Sequence, residues 1–501
     1  MLEIDGKSFT LEQIDLVARG EPVSLAWKAR ARMADSRRVI ERIVMEGKPV
    51  YGVSTGFGKL SDVHIAGSRL AELQANLVRS HACGVGEPLT QPEARALTLL
   101  RANVLAKGFS GARADVADVL VNMLNKGVVP VVPSRGSVGA SGDLAPLAHV
   151  ALVVMGEGEA YYADQRMPGS KAMANAGVQA IALEAKEGLS LLNGTQAMVS
   201  VGGLALLRAL RLVSYADVAG AMTLEALLGT PVAFDSRIHE VRPHPGQSTS
   251  AARLRKLLEG SEIRDSHLED DPRVQDAYSL RCMPQVHGAV RGALDHARSV
   301  FEIESGAATD NPLVFAEGGD VLSGGNFHGA PLAYALDYAA IAVTDLMSIS
   351  ERRIDRMVNA DLNEHLPAFL SADPGMRSGF MIPHVVAVAL LNEAKVLAHP
   401  SSVDNAPTSG GKEDHVSMGM TGALKLRQIV GLAEQVLAIE FLAAAEGLEY
   451  RKPLQPGLGV RAAYDAVRER VRRLEADRPL GGDIERIALA IREQEIPDLG
   501  D

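Results

Sequence analysis

The chain reads as a mainly α protein built on a bundle of long helices, with a loop-rich N-terminal active-site domain. Three observations predict this. Residues 195–228, 332–358 and 417–448 are apolar, free of proline and longer than ordinary globular helices, the mark of rods packed side by side. Strand-like runs are few and short. The segments between the rods are rich in Gly, Pro, Ser and Asn, and such loops on a rigid scaffold are where chemistry usually sits.

Taken in order, a short strand is predicted over residues 1–4. Thr10 with Gln13 forms a capping box that opens a helix stopping at Gly20. A second helix is predicted over 24–47, and further β-prone pieces lie at 128–132 and 312–315. Loops are expected at 235–250, 318–329 and 399–412. After Pro456 come two charged amphipathic helices, split by Pro479-Leu-Gly-Gly482. The predicted organisation is an active-site domain over 1–195, a central long-helix bundle over 196–455 and a C-terminal helical tail over 456–501.

Composition excludes several classes. Lys and Arg number 51 against 62 Asp and Glu, a formal charge of −11, which argues against nucleic acid as the main partner. The basic cluster Arg468, Arg470, Arg472 and Arg473 is interleaved with Glu469 and Glu475, the pattern of a solvated helix face. Charges such as Arg208, Asp217, Asp345 and Lys425 within the rods speak against membrane spans. Cys83 and Cys282 are too few for a disulfide framework. With no basic-then-apolar leader at the start, a cytoplasmic setting is expected. His239-Glu-Val-Arg-Pro-His244 has neither the spacing nor the proline-free helix of a zinc site, and no metal is expected.

The most informative stretch is residues 136–149, Gly-Ser-Val-Gly-Ala-Ser-Gly-Asp-Leu-Ala-Pro-Leu-Ala-His. Neither GxGxxG nor GxxxxGK[ST] is present, so a phosphate-cradling loop is a poor reading. A tight run of small residues lets the Gly142 nitrogen approach the Ala140 carbonyl carbon. Ring closure there and dehydration of Ser141 would leave an exocyclic alkene. The stretch resembles the signature of the aromatic amino acid ammonia-lyases, and the histidine ammonia-lyase family in particular. The resemblance implies a methylidene-imidazolone (MIO) formed from Ala140, Ser141 and Gly142, with neither nucleotide nor metal.

Six further segments match that family in order. They are Tyr51-Gly-Val-Ser-Thr-Gly-Phe-Gly58, Ser80-His-Ala-Cys-Gly-Val-Gly86, Glu187-Gly-Leu-Ser-Leu-Leu-Asn-Gly-Thr-Gln196, Gln275-Asp-Ala-Tyr-Ser-Leu-Arg281, Asn326-Phe-His-Gly329 and Lys412-Glu-Asp-His-Val-Ser-Met-Gly419. The resemblance makes residue 141 an electrophile for the substrate amine. It makes Tyr51 the general base for the β-proton, a task that asks for a phenol pKa below the usual value near 10. Tyr278 joins the catalytic set. Arg281 is the expected carboxylate clamp, since guanidinium matches carboxylate with paired donors. Asn193 lies beside it and touches the MIO oxygen, while Gln275 and Phe327 line the pocket.

Substrate choice falls on His81 and Glu413. Ser80-His81 is the pair found in histidine-specific members, and a carboxylate at 413 can accept an imidazole N–H. Two features depart from the family pattern. Ser54 stands where Asn is frequent, and Gly411-Lys412 stands where Asn-Gln is common, so Lys412 brings a cation toward the base or the pocket. The resemblance further implies an architecture of the ammonia-lyase and fumarase type, assembled as a homotetramer whose sites take residues from more than one chain. The expected reaction is L-histidine to trans-urocanate and ammonia, the first step of histidine degradation. The rivals are a tyrosine or phenylalanine ammonia-lyase, a 2,3-aminomutase, and an inactive helical assembly protein.

Overall fold

A computed structural model describes residues 1–56, 63–269, 271 and 273–498. Phe57 and Gly58, the end of the Tyr51 motif, lie outside the described residues, as do positions 499–501 of the tail. Among the described residues the fold is dominated by α-helix, and β-structure is limited to short two- and three-stranded ladders.

The three predicted rods are present as Gln196–Ala226, Ala330–Val358 and Gly419–Glu449. A fourth long helix, Met283–Ser305, was not foreseen, because glycines and scattered charges blur its apolar stripe. By length and composition three of the helices are apolar enough to cross a membrane, and the charges read from the sequence do not alter that. Their apolar character has another outlet here: 72%, 72% and 78% of the relevant windows are buried inside the protein.

Local signals near the N-terminus work as physics suggests. Thr10 caps the Leu11–Ala18 helix, its hydroxyl accepting from Gln13 N while Gln13 returns a bond to Thr10 N. The second helix begins at Trp27 and not at residue 24, because Val23–Leu25 is held in parallel pairing with Leu2–Ile4. The expected loop at 235–250 is largely helical. Asp235 accepts from Arg237 N to start Ser236–Glu240, and Pro245 opens Pro245–Leu257, a position where its missing N–H costs nothing. Within 318–329, Asp320–Leu322 pairs antiparallel with Leu313–Phe315. The tail holds Leu458–Arg470 and Gly481–Arg492.

Two compact units result. The first is 1–205, 297–337 and 400–424; the second is 206–296, 338–399 and 425–501. Each is assembled from three separated segments, not from consecutive stretches such as 1–195, 196–455 and 456–501. The cause is the length of the rods: all four long helices contribute residues to both units. In the first unit a core of Val39, Ile40, Ile43, Val53, Leu70, Ala185 and Val314 packs the Trp27–Glu46 helix against the segment carrying Tyr51.

Candidate active site

Four helices have their N-termini in the first unit, at the Gly-rich loop. Leu144–Val154 follows Asp143 directly. Asp143 N donates to Gly194 O (2.7 Å), and Met198 N, in the first turn of Gln196–Ala226, donates to Asp143 Oδ2 (2.9 Å). Gly329 N, just before Ala330–Val358, donates to Gly139 O, and Met418 N, just before Gly419–Glu449, donates to Val138 O. Ser417 Oγ adds a second bond to Gly139 O (2.9 Å). Four helix N-termini with partial positive charge therefore surround residues 138–143, a setting that favours negative charge developing there.

Gly142 is required by geometry. It has φ of +76°, and a Cβ built on it would lie 2.2 Å from Gly194 O. Asp143 is fully buried and accepts from Ser137 Oγ (2.8 Å) as well as Met198 N; burial nonetheless raises its carboxyl to a pKa of about 6. Arg101, also fully buried, gives two nitrogens to Asn193 O (2.8 and 3.0 Å) and one to Gln196 Oε1 (2.8 Å), while burial pulls its guanidinium down to about 10. Asn193 is thus fixed through its backbone. Its side-chain Oδ1 is buried without a hydrogen-bond partner, an acceptor left over for something other than this fold.

A cleft of about 620 Å³ opens over the loop, and five predicted residues line it: Tyr51, Ala140, Ser141, Phe327 and Glu413. Ser141 Oγ donates to Glu413 Oε1 at 2.6 Å, and Thr408 Oγ1 donates to the other oxygen at 2.5 Å. Glu413 is half-buried and held by both partners, not a loose loop carboxylate. Ser54 staples the segment carrying Tyr51. Its hydroxyl donates to Lys48 O (2.6 Å) and accepts from Val50 N (3.0 Å), so this departure from the family pattern has a structural task.

Asn311, Ser323, His328 and His415 also line the cleft and had no place in the sequence reading. The two histidine rings stack at 5.8 Å with a 4° interplanar angle. His328 accepts from Ala330 N at Nδ1 and meets His415 O at Nε2, a pairing that the neutral Nε2–H ring satisfies. Their only sequence signal was membership of the Asn326-Phe-His-Gly329 and Glu413-Asp-His runs. Asn311 is anchored from below. Its N–H donates to Asp310, which pairs with the fully buried Lys186 at 2.9 Å, and burial lowers the Lys186 pKa.

The other predicted residues sit elsewhere. His81 ends the Leu70–His81 helix with Nδ1 bonded to Leu77 O (2.8 Å) and is not among the residues lining the cleft. Gln275, Tyr278 and Arg281 belong to the second unit. There the Arg281 guanidinium lies 4.7 Å from the Tyr278 ring centroid, Tyr278 is 70% exposed, and Arg281 Nε has no partner. Asp276 between them is anchored by Thr230 N (2.7 Å).

Comparison with known proteins agrees with this geometry. A family model described as aromatic amino acid lyase matches residues 9–469. The chain is 55% identical over 494 residues to histidine ammonia-lyase of Myxococcus xanthus (strain DK1622), covering 98% of this chain and 97% of that protein. Among solved structures, histidine ammonia-lyase from Trypanosoma cruzi superposes with a TM-score of 0.92 at 41% identity, over 99% of this chain and 94% of that one. Tyrosine aminomutase from Streptomyces globisporus gives 0.94 at 38% identity, over 99% and 97%. With the segments carrying Tyr51, Phe327 and Glu413 lining one cleft over the helix-ringed loop, and the match running nearly end to end, the chain belongs to the aromatic amino acid lyase family.

Proposed function

We propose that this chain deaminates L-histidine to trans-urocanate and ammonia, using an MIO formed from Ala140, Ser141 and Gly142. The observation that carries the reading is the Glu413 carboxylate 2.6 Å from Ser141 Oγ, in the cleft that Tyr51 and Phe327 also line. The residues present fit the prosthetic group. Position 142 has no room for a Cβ, and Ser141 is partly open to the cleft. The group would supply an electrophilic alkene that makes the substrate nitrogen a better leaving group.

The chain's own side chains do the rest. Tyr51 takes the β-proton. Glu413 accepts the substrate imidazole N–H, a bond that a phenyl ring cannot offer, so an analogue lacking it leaves the carboxylate without its ligand. Phe327 packs against the ring. Asn193 and Tyr278 act beside the reacting centre, Arg281 takes the α-carboxylate, and Gln275 and His81 complete the pocket by family resemblance. Four helix N-termini stabilise negative charge arising at residue 141.

We further infer a homotetramer with sites shared between copies. Supporting it, the Met381–Leu397 helix leaves Ile382, Val385, Val386, Val388 and Val396 exposed, an apolar face of the kind that assembly buries. A cytoplasmic setting accords with both cysteines being free thiols.

The test is product analysis after incubation with L-histidine, L-tyrosine and L-phenylalanine, alongside intact-mass measurement. Urocanate from histidine and a chain lighter by two water molecules are expected. A β-amino acid product, or preferred turnover of tyrosine or phenylalanine, would overturn the substrate assignment. Unmodified mass in active protein would overturn the prosthetic group.

A further inference from the structure

We infer that Lys412 is a specificity-determining residue that draws the α-carboxylate of the substrate into the cleft; this rests on the amino acid lyase reading above. The sign of charge around the cleft motivates it. Glu413 and Asp414 both line the cleft, and Lys412 is the only Lys or Arg among the described residues that line it. His328 there already engages both ring nitrogens, Nδ1 with Ala330 N and Nε2 with His415 O. A carboxylate-bearing ligand approaching two carboxylates is repelled unless a cation answers them.

The cation is also available. Among the described residues no carboxylate pairs with the Lys412 ammonium, and the side chain is exposed. Thr408 Oγ1 holds one oxygen of Glu413, and the proposed function gives the other to the substrate imidazole, so Glu413 does not draw the lysine away.

The backbone presents Lys412 by construction. Thr408 and Glu413 form an antiparallel bridge, and the turn between them places three successive residues at positive φ: Ser409 at +51°, Gly410 at +63° and Gly411 at +85°. Position 411 therefore suits glycine or asparagine, which explains why Gly here can replace the Asn common in the family without changing the turn. The neighbouring exchange at 412 is different in kind. The same turn delivers an ammonium to the cleft, and a flexible cation attracts a carboxylate at longer range than a neutral side chain does. This chain should thus depend on carboxylate recognition from two cations, Arg281 by resemblance and Lys412 by position.

The experiment compares wild type, Lys412→Gln and Lys412→Arg with two ligands that share an imidazole and an amine. L-histidine carries the carboxylate and histamine lacks it. Lys412→Gln should raise the histidine KM on the order of tenfold with kcat changed less than about twofold. It should leave the histamine inhibition constant near wild type and reduce the salt dependence of kcat/KM. Lys412→Arg should restore the histidine KM. An unchanged KM, or a parallel weakening of histamine, would overturn the inference. Calorimetric titration of the Ser141→Ala protein, with and without Lys412→Gln, reads affinity for the same two ligands without turnover: wild type that fails to turn over histidine sinks the proposed function, whereas a histidine-to-histamine affinity ratio unaltered by Lys412→Gln sinks the role of Lys412.

Discussion

Two buried polar networks, one in each unit, are used in opposite ways. In the second unit, Asp217 accepts from His287 Nδ1 (2.7 Å), Arg291 (2.6 Å) and Arg253 (3.2 Å). His287 Nε2 faces Arg353 (3.3 Å), which pairs with Glu440 (2.9 Å), and Glu440 also takes Thr223 and Ser350. Burial works against the Asp217 carboxylate, yet the bonds from His287 and Arg291 hold it below the usual range. Every charge there is answered within the network. In the first unit the web around Arg101 and Asp143 is just as buried but ends on groups with capacity to spare: Asn193 Oδ1 without a partner, and Ser141 and Glu413 facing a cleft. Polar groups that close on one another specify a fold; polar groups that stop at a cavity wall are set for a ligand.

The sharpest way to test that contrast is Ser141→Ala. Turnover should fall by on the order of 10³-fold or more, with unchanged far-UV circular dichroism and a mass without the dehydration loss. An active alanine variant would mean that the cleft does something else. Glu413→Gln should come next, with histidine turnover reduced on the order of 10²-fold and any residual turnover of an aromatic analogue affected far less. Equal losses would remove the imidazole assignment.

In the second unit the expected effects fall on stability instead. Arg353→Leu strands Glu440 in the interior and should cost about 3–5 kcal/mol in denaturant unfolding. Adding Glu440→Leu should recover much of that, since a closed pair can be exchanged for packed apolar groups. No recovery would show that the pair does more than hold helices together.

The smallest expected effect concerns Glu225, whose carboxyl burial pushes up to about 7 although Gly457 N and Ser261 hydrogen-bond to it. A group with a raised folded pKa contributes stability in full below its unfolded value near 4.5, and that contribution is lost as pH rises through about 7. Glu225→Gln should therefore flatten the decline in Tm between about pH 5 and 8. A wild-type slope in the variant would assign the decline to other groups, Asp143 among them.

Much of this was legible along the chain. The rods announce themselves because a proline-free apolar run has few other ways to satisfy its backbone, and the capping box at Thr10 is a contact between near neighbours. The helix start at 27 was misread because a distant partner decides it: strand pairing with Leu2–Ile4 takes residues 23–25 out of the helix. The starts at 236 and 245 carry local signals, Asp235 and Pro245, that the loop-like composition of 235–250 masked.

What the amino-acid order determined by itself is the chemistry available: small residues at 140–142 that permit ring closure, and the motif set that accompanies them. What only the tertiary structure decided is which groups share a cavity. Ser141 and Glu413 are 272 residues apart and meet at hydrogen-bonding distance, while His328 and His415 enter the same cleft from separate loops. The physical reason is one of range. Propensity, capping and turn geometry act over a few residues, whereas the ring of helix N-termini exists only after the rods have packed.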